Sequence, residues 1–179
     1  MEDFKRIKRD IVVKGHILDY CHDTLILPDG KQAVWDMIDH NGAAAVVPVL
    51  DDGRLIMVRQ YRNTVERTTI EIPAGKLNYK NEPSIDAAKR ELSEETGFIS
   101  DDLELLFKFV PAIAYSNEVI DIYVAFNLKE GKQHLDDDEF VEYEAYTVKE
   151  LVDMILAGKI VDSKTIAAVL AYKEKYVVM

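Results

Sequence analysis

Cysteine is almost missing from this chain: Cys21 is the only one in 179 residues. No disulfide can form within it, which excludes the stapled scaffold of a small secreted domain and fits a reducing cytoplasm. Long apolar runs are missing too. None approaches the ~20 residues of a membrane-spanning helix, so no membrane partner is expected. The segment from Met1 to Arg6 runs into charged, strand-like sequence and does not read as a secretory signal. Only 5 prolines and 8 glycines occur, and no Pro/Gly-rich linker, internal repeat or low-complexity tract is present. Positive charge is scarce, with 22 Lys and Arg against 33 Asp and Glu, a net charge of −11. Nucleic-acid binders carry a basic footprint, so no nucleic-acid partner is expected. His16, His22, His40 and His134 are scattered, with no His-x-x-x-His pair and no cysteine partner, which argues against zinc. There is no nucleophile elbow and no phosphate-cradling glycine loop.

What is present points elsewhere. Hydrophobic residues make up 48%, enough for a sizeable core in one domain, or one domain plus an appendage. Residues 1 to 40 read as a small antiparallel strand unit. Ile11-Val-Val, His16-Ile-Leu and Thr24-Leu-Ile-Leu are short apolar runs, and Pro28-Asp-Gly-Lys31 is a turn from which residues 32–38 return. Such a unit is thin for a core of its own and is expected to pack on a partner, a second subunit. Residues 43–50 and 54–61 around Asp51-Asp-Gly53 read as a second hairpin. Strands are expected at 68–72, 103–110, 119–126 and 140–146. Thr147-Val-Lys-Glu150 is a capping box for a helix to Ala157, ended by Gly158. Asp162 or Ser163 caps a last helix with Ile166, Val169 and Leu170 on one face. The interleaving lacks regular strand–helix alternation, which predicts a mixed sheet flanked by helices, an α/β fold of α+β type.

Residues 75 to 98 carry most of the chemistry. Pro83 suits a first helical position and Gly97 the left-handed residue past a helix end. Ile85, Ala88 and Leu92 give an apolar face. Glu91 and Glu95 lie four apart, with Glu94 three from Glu91, so their carboxylates converge. Like charges at this spacing destabilise a helix and call for a cation. Mg²⁺ takes oxygen ligands, commonly carboxylates plus substrate phosphates. The plain alternative is a solvated acidic face. The full pattern Arg-Glu-x-x-Glu-Glu-x-Gly, however, arises by chance in only about one such chain in ten thousand at ordinary residue usage.

This segment resembles the signature of the Nudix hydrolases, which cleave nucleoside diphosphates linked to another moiety with divalent metal. Glu82 to Phe98 match in full, but six residues rather than five separate Gly75 from Glu82. Val58-Arg-Gln-Tyr-Arg62 and Glu71-Ile-Pro-Ala-Gly75-Lys-Leu77 look like the ADP-ribose pyrophosphatase branch. The stretch Pro111-Ala-Ile-Ala-Tyr115-Ser-Asn-Glu118 departs from it, with its proline two residues early. The resemblance implies an α/β/α sandwich over residues 41–179, with residues 1–40 as a dimerisation unit. It implies metal ligation by Ala74 (through its carbonyl), Glu91, Glu94 and Glu95, with Glu82 supporting at longer range and Arg90 holding the glutamates by ion pairing. Substrate contacts fall to Arg59, Arg62, Glu71 and Tyr115. The implied reaction hydrolyses the diphosphate of a nucleoside diphosphate sugar, foremost ADP-ribose, to AMP and ribose 5-phosphate, with Mg²⁺ or Mn²⁺.

The general base should be a carboxylate outside the signature helix. Glu118 and the run Asp136-Asp-Asp-Glu139 qualify, and Glu139 is preferred because its polar loop precedes a strand, as the base-bearing loop does in similar pyrophosphatases. Trp35 either stacks on a base or fills a core or interface. Other readings are a different dinucleotide or sugar nucleotide as substrate, a nucleotide-binding regulator without turnover, or a structural protein with an acidic helix.

Overall fold

The computed structural model describes residues 3–135 and 139–177. Three strands come first: β1 (Lys5–Lys14), β2 (Asp19–Ile26) and β3 (Gln32–Asp39) form an antiparallel sheet in the order β1-β2-β3. Then follow β4 (Ala43–Pro48), β5 (Leu55–Arg62), β6 (Arg67–Glu71), β7 (Ala74–Lys76) and helix α1 (Ser84–Thr96). The rest comprises β8 (Phe98–Ile99), β9 (Asp102–Phe109), β10 (Ile120–Phe126), β11 (Lys129–Glu130), β12 (Glu142–Tyr146), α2 (Val148–Leu156) and α3 (Ser163–Tyr176). The central sheet runs β7-β4-β10-β9, with β4 and β10 parallel and the outer pairings antiparallel. A second sheet, β12-β5-β6, is antiparallel.

Strand β4 explains the layering. It is buried along its whole length, as a strand covered on both faces must be. Its odd residues Ala43, Ala45 and Val47 pack with Leu151 of α2 and Ala168, Val169 and Tyr172 of α3. Its even residues Ala44 and Val46 pack with Ala87, Ala88 and Leu92 of α1. The result is an α/β/α sandwich. Alanines on both sides of the α1 contact let that helix approach the sheet closely.

Several local expectations need correcting. The 43–50/54–61 hairpin is a tight turn only: Leu50 and Gly53 close it, and a single bridge joins Val49 to Leu55. Beyond it β4 and β5 diverge into different sheets, because β4 pairs with β10 and β7 while β5 pairs with β12 and β6. Pro83 is the cap of α1 rather than its first helical residue. Ile85 is exposed, and Ala87 takes its place in the buried face. On α3, Leu170 is exposed and Thr165, Ala168 and Tyr172 are buried. The capping box of α2 forms as read, and Gly97 adopts φ 74° at the end of α1.

Candidate active site

A cavity of about 610 Å³ opens where β5, β7, α1, the 111–118 loop and the start of α3 meet, a size typical of small-molecule sites. Helix α1 supplies Arg90, Glu91, Glu94 and Glu95 to its wall. Arg90 Nη1 donates to Glu91 Oε1 at 2.6 Å and to Glu94 Oε2 at 2.9 Å, while Nη2 donates to the Lys76 carbonyl at 3.2 Å. The Ala74 backbone N–H donates to Glu95 Oε2 at 3.0 Å. Gly75 leaves room for this arrangement: a Cβ at that position would displace the Glu91 carboxylate from where it stands. The extra residue before Glu82 is absorbed by the 78–82 turn, which Glu82 closes by accepting from the Asn78 N–H. Glu82 does not line the cavity.

Burial pushes the Glu91 carboxyl up to about 7, with Arg90 opposing the rise and Glu94 and Glu139 adding to it. Burial likewise pushes Glu95 up to about 8, opposed by the Ala74 N–H and raised further by Glu91 and Glu139. These are carboxylates short of positive charge. Among the described residues, no three carboxylate, imidazole or thiol groups already stand at ligand distance. Arg90 spans Glu91 and Glu94 instead. The donor set is nonetheless all oxygen and anionic, with Ala74 beside it, and fits a hard divalent cation in kind.

The neighbouring wall inverts this electrostatics. Arg62 Nε and Nη2 donate to Glu71 Oε1 and Oε2 at 2.8 and 2.7 Å. Lys164 Nζ, at the start of α3, donates to Glu71 Oε2 at 2.6 Å, and Thr69 Oγ1 to Oε1 at 2.6 Å. Burial alone would raise Glu71, but these donors overcome it and hold the carboxyl at about 2. Glu71 thus positions Arg62 and is itself fully engaged, so the expectation that it binds substrate directly gives way to a supporting role.

Arg59 is also displaced from its expected place. Strand alternation puts Gln60 and Arg62 on the cavity side of β5 and leaves Arg59 exposed, opposite Glu142 and beside Tyr146. Tyr115 lies outside the main cavity as well. It lines a smaller hollow of about 190 Å³ with Trp35, Asp23 and Asp36. Trp35 is half-exposed on β3, against Phe4 at 5.8 Å between ring centroids, and so fills no core.

Glu118 and Glu139 both reach the cavity wall. The loop before Glu118 is stitched to β3: Ile38 N donates to the Tyr115 carbonyl at 2.7 Å, and His40 N to Asn117 Oδ1 at 2.8 Å. His40 Nδ1 lies 3.7 Å from Glu118 Oε1 but accepts from Gly42 N at 3.0 Å. With its one lone pair taken by the Gly42 N–H, Nδ1 makes no hydrogen bond to Glu118. Glu139 is exposed, yet close enough to Glu91 and Glu95 to raise both. Asp136, Asp137 and Asp138 lie outside the described residues.

Sequence reasoning missed Gln60, Lys76, His40, Asp162 and Lys164. The Asp162-Ser-Lys-Thr165 stretch read only as a helix cap, a role it does fill, with Thr165 N donating to Asp162 Oδ2 at 3.0 Å.

Comparison with known proteins agrees with this geometry. The chain is 36% identical over 167 residues to an ADP-ribose pyrophosphatase of Bacillus subtilis, covering 92% of this chain and 90% of that one. It is 37% identical over 167 residues to a methanol dehydrogenase activator of Bacillus methanolicus, with the same coverage. A solved structure of an ADP compounds hydrolase superposes with a TM-score of 0.83 at 22% identity, covering 97% of this chain and 94% of that one. Residues 39–169 match the NUDIX domain. With the signature helix forming one wall of the cavity, the chain belongs to the Nudix family, whose hydrolases generally need a divalent metal.

Proposed function

We propose that the protein hydrolyses the diphosphate bond of a nucleoside diphosphate sugar, with ADP-ribose as substrate and AMP and ribose 5-phosphate as products. The observation that carries this reading is the placement of charge-deficient Glu91 and Glu95 in the same cavity as the cationic Arg62 and Lys164. The relative from Bacillus subtilis, an ADP-ribose pyrophosphatase, supports the substrate. Glu91, Glu94, Glu95 and the Ala74 carbonyl would hold Mg²⁺ or Mn²⁺. Such a cation supplies neutralisation of phosphate oxygens and a lowered pKa for an attacking water.

The chain's own residues do the rest. Arg62 keeps three N–H groups beyond the two that Glu71 uses, and these can bind a phosphate. Arg90 restrains Glu91 and Glu94. Glu139 would accept the proton of the attacking water; Glu118, held by its stitched loop, would bond substrate or position the loop.

Residues 1–40 would form a dimerisation unit beside a catalytic domain of residues 41–179, working in the cytoplasm. Ile11 and Trp35 on one face of the β1-β2-β3 sheet, Val13 and Val34 on the other, and Phe4 just before β1 are 50–61% exposed, apolar surface of which a second copy would cover one face. Light scattering should give a homodimer; a 20.4 kDa particle at micromolar concentration would refute that part.

The activity is tested by incubating the protein with ADP-ribose and other nucleoside diphosphate derivatives plus Mg²⁺, and resolving products by chromatography. AMP and ribose 5-phosphate should appear with ADP-ribose and disappear with a chelator. Faster cleavage of another derivative would reassign the substrate, and no cleavage of any with either metal would overturn the catalytic reading.

A further inference from the structure

Lys164 breaks two local rules. It occupies the second position of α3, a 14-residue helix, where a cation opposes the helix dipole at a cost of about 0.3–1 kcal/mol. Its side chain is also only 12% exposed, although lysine ordinarily keeps its ammonium in water. A local rule broken inside a cavity is where function is to be sought.

Joining α3 to the sheet does not explain it. That task is already met by Ile72 N, which donates to the buried Thr165 Oγ1 at 2.9 Å. Nor is Lys164 needed to cap the helix, since Asp162 takes the Thr165 N–H. What Lys164 does is hold Nζ against Glu71 Oε2 at 2.6 Å and Asp162 Oδ2 at 3.0 Å. The same Glu71 oxygen accepts from Arg62 Nη2 at 2.7 Å. Two cationic heads on one oxygen stand no further apart than two hydrogen bonds end to end, about 5.5 Å. That spacing lets both reach one diphosphate group. Nζ donates one hydrogen bond, to Glu71 Oε2, and pairs with Asp162 as an ion, so donor capacity remains among its three N–H groups for a ligand.

We propose that Lys164 is a second phosphate-binding cation of this cavity, paired with Arg62 through their shared counter-ion Glu71, so that the two grip a substrate's diphosphate from the β5–β6–α3 wall. The proposal rests on the functional reading above and extends it to a residue outside the signature. With an overall charge of −11, the protein repels a diphosphate at long range, and a local pair of fixed cations reverses that field where the ligand must sit.

The test compares wild type, Lys164→Met and Lys164→Arg. Calorimetry measures binding of a non-hydrolysable methylene-bridged ADP-ribose, alongside steady-state kinetics on ADP-ribose with Mg²⁺. Lys164→Met should weaken analogue binding about tenfold, the value of one charge-assisted hydrogen bond, raise KM more than it lowers kcat, and flatten the dependence of binding on salt. Lys164→Arg should recover most of the affinity. If Lys164→Met folds poorly, Lys164→Arg and Lys164→Gln carry the comparison, and Gln should bind more weakly than Arg. Equal affinity of the wild type and the neutral variants would overturn the role of Lys164. Failure of the wild type to bind the analogue would instead sink the substrate reading.

Discussion

Glu71 and Glu95 are equally hidden, at 2% and 3% exposure, yet one carboxyl is held at about 2 and the other pushed to about 8. Desolvation acts on both. The difference is company: Glu71 receives a bidentate arginine, a lysine and a threonine, whereas Glu95 receives one backbone N–H and sits near Glu91 and Glu139. A buried carboxylate with a full set of donors is scaffold, and one left short of positive charge is a place for a cation. One wall of the cavity is thus finished within the protein, and on the proposed reading a cation completes the other.

The largest effect should come from the unfinished wall. Glu95→Gln keeps the shape and removes a ligand charge, and should lower turnover of ADP-ribose by about a hundredfold or more while circular dichroism and melting stay near wild type. Full activity in this variant would erase the distinction between the walls.

Next comes the base. Glu139→Gln should lower kcat by about a hundredfold with little change in KM, and Glu118→Gln should do less. The reverse order would move the role to Glu118.

On the finished wall the loss should fall on stability. Glu71→Gln removes the counter-ion that Arg62 and Lys164 share, leaving Lys164 only Asp162, and should cost about 3 kcal/mol in denaturant unfolding, with KM raised more than kcat is lowered. Unchanged stability would show that Glu71 is no scaffold.

The smallest effect separates the walls by pH. Glu71, lowered in the fold, contributes stability that is present above about 4.5 and lost as pH falls toward about 2. Glu91 and Glu95, raised in the fold, favour the folded state below about 4.5 and lose that advantage as pH rises through about 7 and 8. Melting temperatures of the chelated protein should therefore fall on both limbs, and Mg²⁺ should restore only the alkaline one. An alkaline limb untouched by Mg²⁺ would contradict the assignment.

The unfinished wall was legible in the sequence, because its parts lie on one helix turn apart and helical spacing alone brings Glu91, Glu94 and Glu95 together with Arg90. The layers were legible too, as a mixed sheet flanked by helices from the irregular interleaving of strands and helices, and as an α/β/α sandwich from the family resemblance. The finished wall was legible only in part: the family resemblance named Arg62 and Glu71, and Lys164 went unseen. Glu71 and Lys164 meet across 93 residues of sequence, and no local pattern announces such a contact. Strand parity separates Arg59 from the cavity, since Gln60 and Arg62 share a face of β5 that Arg59 does not. The supposed 43–61 hairpin failed because its turn is genuine while the flanking strands find better partners in β10 and β12.

The central claim is the proposal that the α1 wall binds a divalent cation. Calorimetric titration of Mn²⁺ into chelator-stripped wild type, Glu71→Gln and Glu95→Gln proteins tests it most directly. The account predicts that wild type and Glu71→Gln bind Mn²⁺, with proton release at pH 7 as Glu91 and Glu95 ionise, and that Glu95→Gln binds it far more weakly. Equal Mn²⁺ affinity in wild type and Glu95→Gln would contradict it.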